Sequence, residues 1–188
     1  MRVILLFLAL LAVTGCDRQK PVGQQGGAQE GEAGAPIAGI KRGIDRSHKG
    51  RPFPEVVFRE LEHDSDMTYE SLLGVPALVN LWATWCGPCV KELPSLNALA
   101  QQRMADLAVI PISQDMAPRA SVNAFLDRLD VANLGRYQDD KMALSAALGV
   151  EVMPTTILYD AEGREVWRYV GDLDWTGVEA QKLLDEAA

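Results

Sequence analysis

One short stretch limits what this chain can become. Ala77 to Trp82 (ALVNLW) is a compact apolar run that leads at once into Ala83-Thr84-Trp85-Cys86-Gly87-Pro88-Cys89. Apolar residues then recur at Val90, Leu93, Leu96, Leu99 and Ala100. The run reads as a buried central strand, and the recurrence as a helix from about Cys86 to Met104, bent at Pro94, which lacks an amide hydrogen. Two cysteines two residues apart therefore sit where a buried strand becomes a helix. The first thiol meets unpaired amide hydrogens and the positive end of the helix dipole, which favour an anion. Thiolate is the nucleophile in this chemistry, and such positions lower a thiol pKa from about 8.5 to about 3.5–7.5. Cys89 lies one turn further in and is expected to stay protonated at rest. Cys86 is thus expected to attack a substrate disulfide, and Cys89 to attack the mixed disulfide and release reduced substrate. A fixed structural disulfide would close a very small loop and stabilise little. Half a zinc site lacks partners, since His48 and His63 lie upstream without ligand spacing. No histidine follows the second cysteine, so covalent haem attachment is not indicated, and no metal or other cofactor is expected.

The chain opens MRVILLFLALLAVTGC, a charged start followed by an apolar run from Val3 to Val13. Eleven residues are too few for a bilayer span, which needs about 20. The pattern is that of a secretory signal over residues 1–15. Val13-Thr14-Gly15-Cys16 resembles the lipobox of bacterial lipoproteins, which implies cleavage before Cys16 and lipid attached to it. The following Asp17 resembles the signal that keeps such lipoproteins in the inner membrane. Two or three acyl chains would anchor stably, at about 0.8 kcal/mol per buried methylene. With Cys16 lipidated, three thiols resolve into one anchor and one pair, the arithmetic an exported protein requires. Loss of Arg2 moves the formal charge from -8 to -9. Such an acidic chain does not favour nucleic acid. The basic stretch Lys41 to Arg51 could touch anionic headgroups, but it reads more simply as a solvated linker end.

Residues 16–50 read as the lipidated cysteine and a flexible linker. Within it, PVGQQGGAQEGEAGAP (21–36) has one large apolar residue, Val22, and cannot bury a core. The 34 residues from Asp17 to Gly50 would reach roughly 30–35 Å. Residues 51–188 read as one domain. Glu55–Glu60 is an expected short strand, His63 to Asp66 a turn, and Tyr69–Leu73 one helical turn ended by Gly74. Leu107–Ile112 is a second buried strand and Pro118–Leu129 an amphipathic helix. A weak strand near Leu134–Gln138 and a helix from Lys141 to Leu148 follow. Thr155–Tyr159 and Glu165–Val170 form a hairpin, and Asp174–Glu186 a last helix. The order implies an α/β layered domain.

Trp85-Cys86-Gly87-Pro88-Cys89 is the thioredoxin active-site string, with proline five residues after the second cysteine. Met153-Pro154-Thr155 resembles the cis-proline loop of that fold. The resemblance implies that this loop faces the disulfide, with Met153 offering backbone hydrogen bonds to a substrate strand. More finely, residues 51–188 resemble the membrane-anchored TlpA, ResA and CcmG-like thiol-disulfide oxidoreductases. The likeness rests on Leu78 to Ala83, Glu92-x-Pro94, the extra segment from about Ser113 to Gly149, and Gly171 to Trp175. It implies a thioredoxin-like central mixed sheet flanked by helices, with an amino-terminal strand extension and a central insertion. It also implies a reducing role outside the cytoplasm in cytochrome c or copper-oxidase assembly. One departure matters: thioredoxin has a buried acid six residues before its first cysteine, and here that position is Asn80, which cannot titrate. Glu92, one helical turn after Cys89, is the candidate replacement, as a partly desolvated acid able to relay a proton.

The expected protein is a lipid-anchored reductase on the periplasmic face of the inner membrane. It would act on disulfides of exported proteins and be recharged by a membrane electron donor of the DsbD or CcdA type, because the compartment is oxidising. A periplasmic oxidase or isomerase is the competing enzyme. A copper(I)-handling metallochaperone using both thiols is the competing binding protein.

Overall fold

The structure is a computed structural model and describes residues 41–187. The signal segment, Cys16 and most of the linker lie outside the described residues. The strands are β1 (Gly43–Asp45), β2 (Phe58–Glu60), β3 (Ser65–Met67), β4 (Ala77–Trp82), β5 (Ala108–Ser113), β6 (Tyr137–Gln138), β7 (Thr155–Tyr159) and β8 (Glu165–Val170). The α-helices are α1 (Gly87–Gln102), α2 (Arg119–Leu126), α3 (Ala143–Leu148) and α4 (Val178–Leu184). All eight strands join one mixed sheet in the order β1-β8-β7-β4-β5-β6-β2-β3. β4 lies inside it, parallel to β5 and antiparallel to β7. Every residue of β4 is buried, which is why its sequence is a nearly continuous apolar run rather than an alternation.

Alternate residues of β4 feed two cores, as the period of a strand requires. Leu78 and Trp82 pack with Leu93, Leu96 and Leu99 of α1 and with parts of α2 and α4. Val79 and Leu81 pack on the other face with Leu144 of α3, Phe53, Phe58 and Leu72. Asn80 shares the α1 face and is fully buried.

Several boundaries differ from the sequence reading: β2 begins at Phe58 rather than Glu55, α2 ends at Leu126 rather than Leu129, and β6 keeps only Tyr137–Gln138 of the expected Leu134–Gln138. Gly43–Asp45, assigned to the linker, is a strand paired to β8, and Gly50 and Phe53 bond the turn beyond it through Glu165 and Gly163. Ser65–Met67, read largely as turn, is an edge strand on β2. The last helix begins at Val178 rather than Asp174, because residues 173–175 are tied to α1 by the site described next. The segment Ser113–Gly149 supplies α2, β6 and α3. Helix α1 continues past Pro94 to Gln102.

Candidate active site

Cys86 is the N-cap of α1, with extended backbone, and its Sγ accepts the Cys89 amide at 3.3 Å. Gly87 and Pro88 fill the first two helical positions, where a missing proline amide costs nothing. Cys86 and Cys89 form a disulfide with their Cα atoms 5.3 Å apart. Cys86 keeps 7 % exposure, Cys89 has none, and the neighbouring Trp85 is 68 % exposed. Only the first cysteine borders solvent.

The bond between Met153 and Pro154 is cis. Thr155 pairs with Leu81 across the β4–β7 ladder, which brings this loop beside the strand that delivers the cysteines. Met153 packs half-buried against the cluster holding both cysteines and Trp82. The Thr155 hydroxyl donates to the Val152 carbonyl at 2.7 Å, and the Pro154 carbonyl accepts the Gly171 amide at 2.9 Å.

Glu92 is 4 % exposed, on the same helix as Cys89. Asn80 Nδ2 donates to its Oε1 at 2.7 Å and to Thr156 Oγ1 at 2.8 Å. Asn80 and Thr156 are cross-strand partners, so the ladder fixes that contact. The Leu173 amide and Trp175 Nε1 both donate to Glu92 Oε2 at 3.2 Å. Trp175 also donates its backbone amide to Ser95 Oγ. These bonds hold residues 173–175 out of helical conformation. Burial pushes the Glu92 carboxyl up to about 7, against the pull of the bonds from Asn80, Leu173 and Trp175, and the charge of Asp172 adds to the rise.

A second carboxylate fixes the loop ahead of the cysteines. Trp82 pairs with Ser113 in the parallel ladder, so two residues further along both strands Thr84 comes opposite Asp115. Asp115 accepts the Thr84 amide at 2.9 Å, the Thr84 hydroxyl at 2.7 Å and the Ser113 hydroxyl at 2.7 Å. Gln138 of β6 in turn donates to the Asp115 carbonyl. The sequence reading missed Asp115, Thr156, Ser95 and the bond between Asn80 and Glu92. The available signal for Asp115 was a polar residue just past the carboxyl end of a parallel strand, where α/β sheets place their sites.

The two histidines lie elsewhere. His48 sits 3.9 Å from Asp45 and His63 3.1 Å from Glu60. Glu60, Glu62 and His63 come close enough together to present ligand atoms, but Glu60 already accepts the amides of Glu62 and His63, and no cysteine is among them.

A thioredoxin-like sheet that presents a Cys-x-x-Cys disulfide at a helix amino terminus beside a cis-proline loop defines a thiol-disulfide oxidoreductase. Redoxin is the family that matches, over residues 48–185, and the chain belongs to it. It is 34% identical to the thiol:disulfide interchange protein DsbE of Pseudomonas fluorescens biotype C, over 73% of this chain and 79% of that one. It is 28% identical to the thiol-disulfide oxidoreductase ResA of Bacillus anthracis, over 65% of this chain and 70% of that one. Among solved structures, a putative DsbE from Chlorobium tepidum superposes with a TM-score of 0.66 at 22% identity, covering 74% of this chain and 98% of that one.

Proposed function

We propose that this oxidoreductase is a membrane-anchored reductase, facing the periplasm, for disulfides in exported proteins of cytochrome c or copper-oxidase assembly. The observation that carries the reading is the pairing, on one helix, of a fully buried Cys89 with a buried Glu92 that has only neutral hydrogen-bond donors. In the dithiol form, the Cys86 thiolate attacks one sulfur of a substrate disulfide and the other sulfur leaves as thiolate. Cys89 then loses its proton to Glu92 and its sulfur attacks Cys86 Sγ. The Cys86–Cys89 bond forms, the mixed disulfide breaks, and the substrate departs with two electrons and, after protonation, as a dithiol. Trp85 and the Met153–Thr155 loop flank Cys86, the cysteine of the pair that borders solvent, and receive the substrate chain.

The anchor rests on Cys16 and the signal-like residues 1–15. Among the described residues no helix is long and apolar enough to cross a membrane. The relatives named for thiol:disulfide interchange support the reaction class. The Gly87-Pro88 dipeptide, shared with reducing thioredoxins, favours reduction over oxidation, and a DsbD- or CcdA-type carrier would restore the dithiol. Metal-binding proteins of this fold usually add a ligand histidine, and here His48 and His63 lie with Asp45 and Glu60 instead.

The test is trapping. Cys89→Ser should retain substrate on Cys86 as a mixed disulfide that mass spectrometry identifies, and thiols of an apocytochrome or a copper-site protein are the expected catch. Equilibrated with glutathione, the pair should have a potential well below the roughly -120 mV of a strong oxidant. A potential near that mark would make the protein an oxidase.

A further inference from the structure

Neutral groups close the Glu92 carboxyl on its inner sides. Asn80 of β4 approaches one oxygen, and the Leu173 amide and Trp175 indole approach the other. Thr156 of β7 backs Asn80. Beside this set lies a cleft of roughly 410 Å³ between α1 and the segment after β8. Glu92 and Ser95 lie in its wall together with Lys91, Asp172 and Asp174. The lining includes neither cysteine nor any residue of the cis-proline loop. We propose that this cleft is the proton port of the active site, and that Asp172 at its edge tunes Glu92. The inference rests on the reading of Glu92 as the acceptor for Cys89.

The port answers a geometric problem. While substrate is held on Cys86 as a mixed disulfide, it covers the face carrying Trp85 and Met153. The proton of Cys89 must leave at that moment. Transfer breaks the Cys89 S–H bond and forms an O–H bond on Glu92. A water in the cleft then takes the proton and restores the carboxylate. The routes through β4 and β7 end on Asn80 and Thr156, neutral side chains buried in the sheet, whereas the cleft meets solvent directly.

Charges around the port are few. Asp172 repels the ionised Glu92 and so favours its protonated form. Lys91 approaches Asp172 only to 4.0 Å and is 81 % exposed, so solvent screens most of its compensation. Asp174 accepts the Thr176 amide and hydroxyl, and Asp172 is the anion that acts on Glu92. Tyr169 of β8 feels Glu92 electrostatically, and the Arg42 guanidinium lies over Gly171. On α1 the other titrating groups of the dithiol form are the two cysteines. Asp172 is therefore the charge whose removal should be felt at Glu92.

Two measurements on the full chain test this. In the first, Asp172→Asn should move the midpoint of the pH profile for mixed-disulfide release to lower pH. The titration of Glu92, followed by carbon-13 carboxyl NMR, should move the same way. In the second, Glu92→Ala should release slowly, and added formate should restore release through the vacated cleft while bulky pivalate should not. An unmoved midpoint in Asp172→Asn, or a Glu92→Ala protein indifferent to formate, overturns the port. Glu92→Gln separates the two levels of the argument. If that variant releases at the wild-type rate, Glu92 is not the acceptor, and the underlying reading fails before the port is reached.

Discussion

Two glutamates in this domain are almost equally buried and have opposite surroundings. Glu165, 2 % exposed, receives both Nε and Nη2 of Arg168 at 2.7 Å. Arg168 is itself buried and also donates to the Leu148 carbonyl at 2.8 Å, which ties β8 to the end of α3. Glu92, 4 % exposed, is met only by an amide side chain, a backbone amide and an indole. A buried carboxylate facing a bidentate guanidinium is a fixed charge and a strut. With neutral donors alone, desolvation is not fully offset, and the group can change its protonation near neutral pH. The difference between strut and proton carrier is one cation.

The largest expected effect comes from breaking the strut. Arg168→Met would leave Glu165 charged and unpaired in the interior, at a cost of about 3–5 kcal/mol. Urea denaturation of the oxidised protein should show that loss, and a double change to Arg168→Met with Glu165→Leu should recover much of it. If the single variant is as stable as wild type, the contrast drawn between the two glutamates is wrong.

The next effect is a pH dependence that only Glu92 should carry. Its carboxyl rises from an ordinary 4.5 to about 7 on folding. The folded chain therefore holds the proton where the unfolded chain has lost it. The contribution to stability is complete below about 4.5, declines as pH rises, and is gone above about 7. The span corresponds to about 3 kcal/mol. Comparing urea midpoints of oxidised wild type and Glu92→Gln between pH 4.5 and 8 isolates this term, because the disulfide cannot titrate. The wild type should lose stability relative to the variant as pH rises, and parallel curves would remove the raised pKa. A third effect, smaller in free energy, concerns rate. Glu92→Gln should leave attack by Cys86 nearly intact but slow release of the mixed disulfide by at least about 10-fold near neutral pH, in the lower part of what general acid–base catalysis supplies. Rapid-quench kinetics with a peptide disulfide would show it.

Much of this arrangement could be read from the chain, and the reason is local. The buried strands Ala77–Trp82, Thr155–Tyr159 and Glu165–Val170 are long enough for composition and flanking turns to mark them. Strands β1 and β3 have three residues each, too few for a period to show, and they exist because β8 and β2 offer them an edge. The cysteine pair was legible because its chemistry depends on a four-residue motif at one junction. Asn80 was legible as a group that cannot titrate, but its role in holding Glu92 was not, since it needs α1 to fold back across β4. The start of α4 was misread for the same reason. Residues 174–177 have acceptable helix-start chemistry, and the bonds from Leu173 and Trp175 to a residue more than eighty positions earlier override it.

Asp115 provides the finest test of the comparison, because it is a third buried carboxylate with no cation among its hydrogen-bond partners. At 3 % exposure it resembles Glu92, yet its three donors all belong to Thr84 and Ser113, two of them hydroxyls that can turn and accept instead. Asp115→Asn can keep an oxygen toward the Thr84 amide and the Ser113 hydroxyl, and present its NH2 to the Thr84 hydroxyl, which reverses its bond. The loss is then the difference between charged and neutral acceptors, about 1 kcal/mol. Thr84 stays in place, and so does Cys86 two residues later. Alkylation of reduced Asp115→Asn should therefore label Cys86 within about two-fold of wild type, because about 0.4 kcal/mol of misplacement corresponds to that factor. Release of the mixed disulfide should keep the wild-type pH midpoint. Asp115→Ala strips all three donors of their acceptor and should loosen the loop, slowing labelling further. If Asp115→Asn instead slows release as Glu92→Gln does, the proton of Cys89 leaves along β5 and not through Glu92. The lack of a cationic partner would then not be what separates a carrier from a strut.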